Sequence, residues 1–414
     1  MKRINTVEVL LAGNPVGELV ASRQGIYFAY HPHWVAEGFN LSPLNMDFTT
    51  QPQKAPDPLL FAGLPGAFAD SLPDGWGMLL MDRYFLAEYG KDRRDISPLD
   101  RLAYMADRGM GALEYHPAIE RTADEDDIDL GQLYQASNAV YEGETAPTLD
   151  TLRLAGGSPG GARPKVAVAL SPDGKQCSTS FKRLPASYQH WLVKFRAPTE
   201  HRDTGAIEYA YSMLAERAGV KMAASKLIEI NSPAGNERFF ATQRFDRDCN
   251  RKIHMMTASG ILYADYSAPS LDYIDLLKAT NAFTRHAEDV ERMARLMVFN
   301  ALTHNHDDHA KNFAFLYDQG QWTLAPAYDL TYAPVRGYAD EHTTSFSGAG
   351  LATRKKLNQV CASFRYLHPD LYIEQTLDAL SEWSSLCREL DINAKQQQII
   401  QRAFDENRQR LETR

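Results

Sequence analysis

The sequence predicts an α+β protein of two lobes, a small β-rich one followed by a mostly helical one, with an additional β-rich subdomain ahead of both. Three observations carry this: strand-like alternation over residues 4–30, a second group of strands between 165 and 246 behind a Gly-rich loop, and helix-period segments from 247 to the end. At 414 residues the chain exceeds what one hydrophobic core organises. The expected divisions are a subdomain over 1–118, an acidic linker over 119–150, the small lobe over 151–246 and the helical lobe over 247–414.

In the subdomain, VEVLLA and VGELVA read as strands joined by a turn at Asn14-Pro15. SLPDGWG (71–77) opens a helix whose apolar face carries Met78, Leu79, Met81, Tyr84 and Phe85. A second helix has Ser97 as N-cap and Pro98 in its first turn, with Gly109 ending it. ERTADEDDIDL (120–130) reads as a solvated linker. In the small lobe, LAGGSPGGARPK leads into the strand VAVAL, then HWLVKF, then a helix with Ile207, Tyr211, Leu214 and Ala218 on one face, then KLIEI and RFFATQRF. No internal repeat is present.

Composition narrows the function. Forty-four Lys plus Arg against 53 Asp plus Glu give a formal charge of −9, which argues against a dedicated nucleic-acid binder. Four scattered cysteines without a C-x-x-C pair suit reduced thiols in the cytoplasm. The start MKRINTVEVLLAG reads as a strand rather than a signal peptide, and no apolar run approaches the roughly 20 residues of a membrane helix.

Four features fit phosphoryl transfer from ATP, which needs donors and cations for the phosphates, a carboxylate for the acceptor hydroxyl and oxygen ligands for Mg²⁺. The loop Ser158-Pro159-Gly160-Gly161-Ala162-Arg163-Pro164-Lys165 would let backbone N–H groups approach phosphate; alone, it reads better as an ordinary Gly-rich hairpin. Lys194, flanked by apolar residues on a buried strand, needs a counter-charge: a nucleotide phosphate or Glu208 on the next helix. In N-H-D-D-H-A-K-N (305–312), Asp307 and Asn312 have the five-residue separation of a kinase catalytic base and metal ligand, which Asp308 and Asn312 do not. Asp307 is therefore the expected base, Lys311 a γ-phosphate contact and Asp308 a structural acceptor. Finally, FAFLY and WTLAP form a hairpin about Asp318-Gln319-Gly320, so its open ends should bring Asn312 beside Asp329 as Mg²⁺ ligands. Gln243-Arg244-Phe245-Asp246-Arg247 would supply the hinge against adenine, with Asp246 reaching the ribose. These features imply a two-lobe protein-kinase-like fold.

With SLPDGWG, SPGGARPK, WLVKF (191–195), QRFDR (243–247), NHDDHAKNF (305–313) and LAPAYDL (324–330), the chain resembles the HipA family, kinase toxins of type II toxin–antitoxin systems. The resemblance implies Mg²⁺-dependent phosphorylation of serine or threonine in a protein, glutamyl-tRNA synthetase being the best-known family target. It also implies autophosphorylation at Ser158. The ATP-binding set becomes Gly160, Gly161, Ala162, Arg163, Lys165, Lys194, Gln243, Phe245, Asp246, His309, Lys311, Asn312, Tyr328 and Asp329. The implied partner is a small helix-turn-helix antitoxin (HipB-like), with operator DNA touched only indirectly. Gln243 departs from the family, where an acidic residue is common.

Two competing readings remain. His304-x-His306-x-Asp308-His309 fits the ligand run of zinc-dependent hydrolases. Alternatively, the fold is a catalytically silent binding protein or co-repressor. Beyond Asp329, His342, Thr343, Thr344, Lys355 and Lys356 are either substrate contacts or surface decoration.

Overall fold

The computed structural model describes residues 2–119, 128–143, 152, 155, 161–174, 176–179, 184, 185, 187–232, 235–334 and 340–412. They form two compact units, each assembled from three stretches of chain: Met1–Glu200 with Glu229–Met256 and Leu316–Gly320, and His201–Ile228 with Thr257–Phe315 and Gln321–Arg414.

Among the described residues, the first unit contains two sheets of four or more strands. One is four-stranded and antiparallel, in the order β3 (Gly25–Tyr30), β2 (Asn14–Ser22), β1 (Thr6–Leu11), β4 (Leu113–His116). Its first turn is not at Asn14-Pro15, as expected, but at Ala12-Gly13, whose φ values of 50° and 78° supply the left-handed pair that a two-residue hairpin needs. Asn14 and Pro15 instead lie in β2, opposite Leu11 and Leu10. The helix Gly75–Tyr89 follows SLPDGWG, and the helix Pro98–Met105 is held by a capping box between Ser97 and Asp100. It ends at Ala106 rather than Gly109.

The second sheet runs β6 (Cys177–Ser178), β5 (Lys165–Leu170), β7 (Gln189–Lys194), β9 (Gly235–Gln243), with β8 (Ser225–Ser232) at the edge. All six residues of β5 are buried, so this strand reads as a continuous apolar run apart from Lys165. The expected linker contains a helix, Leu130–Tyr141, capped by Asp129. Its Tyr134 packs on Phe195 and Phe239 (ring centroids 5.7 and 4.9 Å). Arg196 locks the same corner, bonding Glu237 through two nitrogens and the Tyr134 hydroxyl at 3.0 Å.

The second unit is mainly helical. Its helices Thr204–Arg217, Ala287–Thr303 and Ala394–Glu412 share a core in which Tyr211 meets Phe299, Trp383 and Phe404. That core explains why Thr204–Arg217, expected in the small lobe, clusters with the helical unit. Tyr211 also donates its hydroxyl to the Thr303 carbonyl at 2.7 Å, fixing the end of the helix that precedes NHDDHAKN.

Candidate active site

Helix Ala287–Thr303 stops at His304, which takes a left-handed conformation (φ 58°) and returns its N–H to Asn300. The chain then runs as an irregular loop into a single 3₁₀ turn, Ala310–Asn312. Here the two neighbouring aspartates part. Asp307 is exposed, whereas Asp308 is buried. One Asp308 oxygen accepts from Tyr273 (2.7 Å) and His342 (2.9 Å), the other from the Thr344 N–H (3.1 Å). Burial and the adjacent Asp308 charge push the Tyr273 phenol well above its ordinary range, keeping it a donor. The expectation that Asp308 is structural fits this environment.

Asn312 donates its amide nitrogen to the Asp307 carbonyl at 2.6 Å, which turns the amide oxygen the other way. His309 accepts from the Lys311 N–H through Nδ1 (3.2 Å), so in this structure it caps the 3₁₀ turn. The Lys311 ammonium lies 4.2 Å from the Tyr266 ring centroid.

Ala314–Asp318 and Gln321–Leu324 are neighbouring strands, turned at Gln319-Gly320 with φ values of 49° and 81°. At the open end the Ala325 N–H bonds Ala314 (2.9 Å), and one step further the Tyr328 hydroxyl bonds the Lys311 carbonyl. Asn312 and Asp329 thus belong to the two chain segments that this stem holds side by side. Asp329 is half-buried and left-handed (φ 58°). An amide oxygen and a carboxylate are hard donors of the kind Mg²⁺ takes.

In the first unit, Lys165 of β5 stands directly opposite Lys194 of β7. Both are buried (4% and 6% exposed). Cross-strand partners project to the same face, so the two side chains leave the sheet on one side. Gly161, with φ 91°, lies against the Lys165 ammonium, and any side chain at that position would collide with it. SLPDGWG, read in the sequence as a helix start and a mark of resemblance, grips this end of the Gly-rich loop. The Gly161 N–H bonds the Asp74 carboxylate, and the Trp76 N–H bonds the Gly161 carbonyl at 2.9 Å. No local pattern in the sequence signals that contact, which joins residues far apart in the chain. Ser158 and Gly160 lie outside the described residues.

Several expected contacts are placed differently. Asp246 is fully buried, not directed at a ribose. Its oxygens accept from Arg244 (2.9 and 2.7 Å), Arg247 (2.8 Å) and the Gly111 N–H (2.7 Å). Burial pushes this carboxyl up, but the two guanidinium groups outweigh it and hold it well below the usual range. Both arginines also bond the Gly109 carbonyl, so QRFDR fastens the second sheet to the 109–111 turn. Arg163 bonds the Phe195 carbonyl (2.9 Å) and pairs with Glu200 at 3.4 Å. Gln243 and Phe245 are half-buried beside this lock, and Ala162 is exposed. Lys194 belongs to the first unit and Glu208 to the second.

The hydrolase reading loses its ligand set. Asp308 is spent on Tyr273, His342 and Thr344, and His309 on its cap, so neither joins His304 and His306. Those two histidines converge on Asp340 instead. His342 and Thr344 are interior residues rather than substrate contacts or decoration. Lys356 donates to the Ser347 carbonyl at 2.7 Å.

The whole chain has the α+β fold of a toxin–antitoxin structure. It covers 98% of this chain and 96% of the HipA toxin of Shewanella oneidensis MR-1, solved with HipB and its operator DNA, at a TM-score of 0.68 and 16% identity. Residues 157–411 match the model of the HipA-like C-terminal domain, and residues 7–116 that of the HipA N-terminal domain. The chain belongs to the HipA family. Two Sinorhizobium fredii relatives are named "Putative kinase Y4mE" and "Putative kinase Y4dM". They are 28% and 24% identical over 79% and 80% of this chain, which is 77% and 78% of their own lengths.

Proposed function

We propose that this chain is an ATP- and Mg²⁺-dependent protein serine/threonine kinase of the HipA toxin type. The observation that carries the proposal is the closed hairpin stem, which ties the segment of Asn312 to that of Asp329 through Ala314–Ala325 and Tyr328–Lys311, with Asp307 exposed beside it. Family membership supports the same reading.

In this mechanism Lys165 and Lys194 neutralise nucleotide phosphates, and Gly161 leaves room for them. Asn312 and Asp329 would hold the cation, which would supply charge neutralisation of the phosphates when bound. Asp307 accepts or orients the proton of the acceptor hydroxyl, and Lys311 leaves the Tyr266 ring to meet the transferred phosphoryl group. Ser158 is the proposed autophosphorylation site: a phosphate there adds about two negative charges to the loop meant to hold ATP phosphates and shuts the enzyme down.

The proposed setting is cytoplasmic, with a small helix-turn-helix antitoxin as partner, operator DNA reached through it, and a protein such as an aminoacyl-tRNA synthetase as substrate. The net charge of −9 fits a subunit that leaves DNA contact to its partner.

Labelled ATP provides the test. The unphosphorylated protein should incorporate phosphate at Ser158. Asp307→Ala should lower the rate by about 10² to 10⁴, and Asp329→Ala should abolish Mg²⁺ dependence along with activity. No incorporation by the parent protein, while nucleotide still binds, would instead assign a silent co-repressor.

A further inference from the structure

The paired histidines ahead of Asp307 have no part in phosphoryl transfer as described. His304 Nε2 lies 2.9 Å from one oxygen of Asp340, and His306 Nδ1 lies 2.7 Å from the other. The two rings lie with centroids 3.8 Å apart and planes tilted by 30°, and one donor atom from each of the three residues falls within 4.8 Å of the others. From these we infer a binding site for a zinc-class divalent transition metal, distinct from the Mg²⁺ pair Asn312 and Asp329.

The donor chemistry sets the class. Two imidazoles and one carboxylate suit zinc and its neighbours, whereas Mg²⁺ takes oxygen alone. Water completes the coordination, because the Asp340 side chain is 45% exposed while those of His304 and His306 are 9% and 1% exposed.

The site is also preorganised by backbone. Asn305, between the two histidines, forms a parallel bridge with Ala333. The His306 N–H bonds the Ala333 carbonyl (3.2 Å), and the Ala333 N–H bonds the His304 carbonyl (3.1 Å). On the far side of Asp340, Thr343 donates both its N–H and its hydroxyl to the His306 carbonyl. Thr343, three residues beyond Asp340, is thereby fixed to the histidine backbone.

The metal would take the position now bridged between the two imidazoles and the Asp340 carboxylate. The occupied site staples the chain beyond Asp329 to the loop that carries Asp307.

Cobalt provides the test. Chelator-treated full-length protein should bind a single equivalent of Co²⁺ with visible d–d absorption, lost on adding Zn²⁺, and Zn²⁺ should raise its melting temperature. Asp340→Ala, at an exposed position, and His304→Gln should each weaken Co²⁺ binding by at least about tenfold. Asp329→Ala should bind Co²⁺ as the parent does, which separates this site from the proposed Mg²⁺ site. Absence of the absorption in the parent, or parent-like binding by Asp340→Ala and His304→Gln, would overturn the inference. No readout depends on kinase activity.

Discussion

At the scale of single residues, the buried charges matter most. Asp246 holds Arg244 and Arg247 in an environment with almost no water, so removing its charge leaves two guanidinium groups uncompensated. Asp246→Asn should destabilise the first unit by roughly 3–5 kcal/mol, as expected when one partner of a buried pair is lost. Urea unfolding followed by fluorescence would measure it. A second residue-scale effect is acid sensitivity. Burial pushes His254 from its ordinary 6.5 to about 4, despite its hydrogen bond to the Leu41 carbonyl, and burial together with Arg244 and Arg247 does the same to His190. Between those pH values the unfolded chain takes up protons that the folded one refuses. Stability is therefore full above pH 6.5 and falls as pH drops toward 4, by up to about 3 kcal/mol for each group. In His254→Gln the fall in urea midpoint between pH 7 and pH 5 should be shallower than in the parent.

At the scale of elements, what could be read from the sequence was local. The Ser97 N-cap, the turn at Gln319-Gly320 and the five-residue separation of Asp307 and Asn312 all lie within a few residues, where propensity and spacing act. The helix Leu130–Tyr141 was hidden because an acidic run precedes it, although Leu130, Leu133, Tyr134, Ser137 and Val140 form a buried face. The buried lock of Asp246 was not legible because its partner Gly111 lies 135 residues away in sequence. The grip of SLPDGWG on the Gly-rich loop escaped for the same reason. That contact gives an element-scale prediction: Gly75 has φ 36°, and a Cβ there would lie 2.6 Å from the Ala162 Cα. Gly75→Ala should destabilise the protein by about 1–3 kcal/mol through backbone strain. It should also weaken nucleotide binding, measurable by calorimetric titration.

At the scale of the molecule, fold class and family were legible because several motifs spread along the chain agreed with one architecture. The division of the chain was less so. The helix Thr204–Arg217 belongs to the helical unit because its aromatic face matches Phe299, Trp383 and Phe404, partners that lie far downstream. Among the described residues, no helix is long and apolar enough to cross a membrane.

The interleaving of the two units has a consequence for biosynthesis. Leu316–Gly320 completes the first unit, with Tyr317 stacked on Phe39 at 3.8 Å and Asp318 bonded to Arg251 at 2.5 Å. A nascent chain emerging from the ribosome therefore cannot complete its first unit until residue 320 has been translated. For the same reason, no single cleavage releases either half with all its parts.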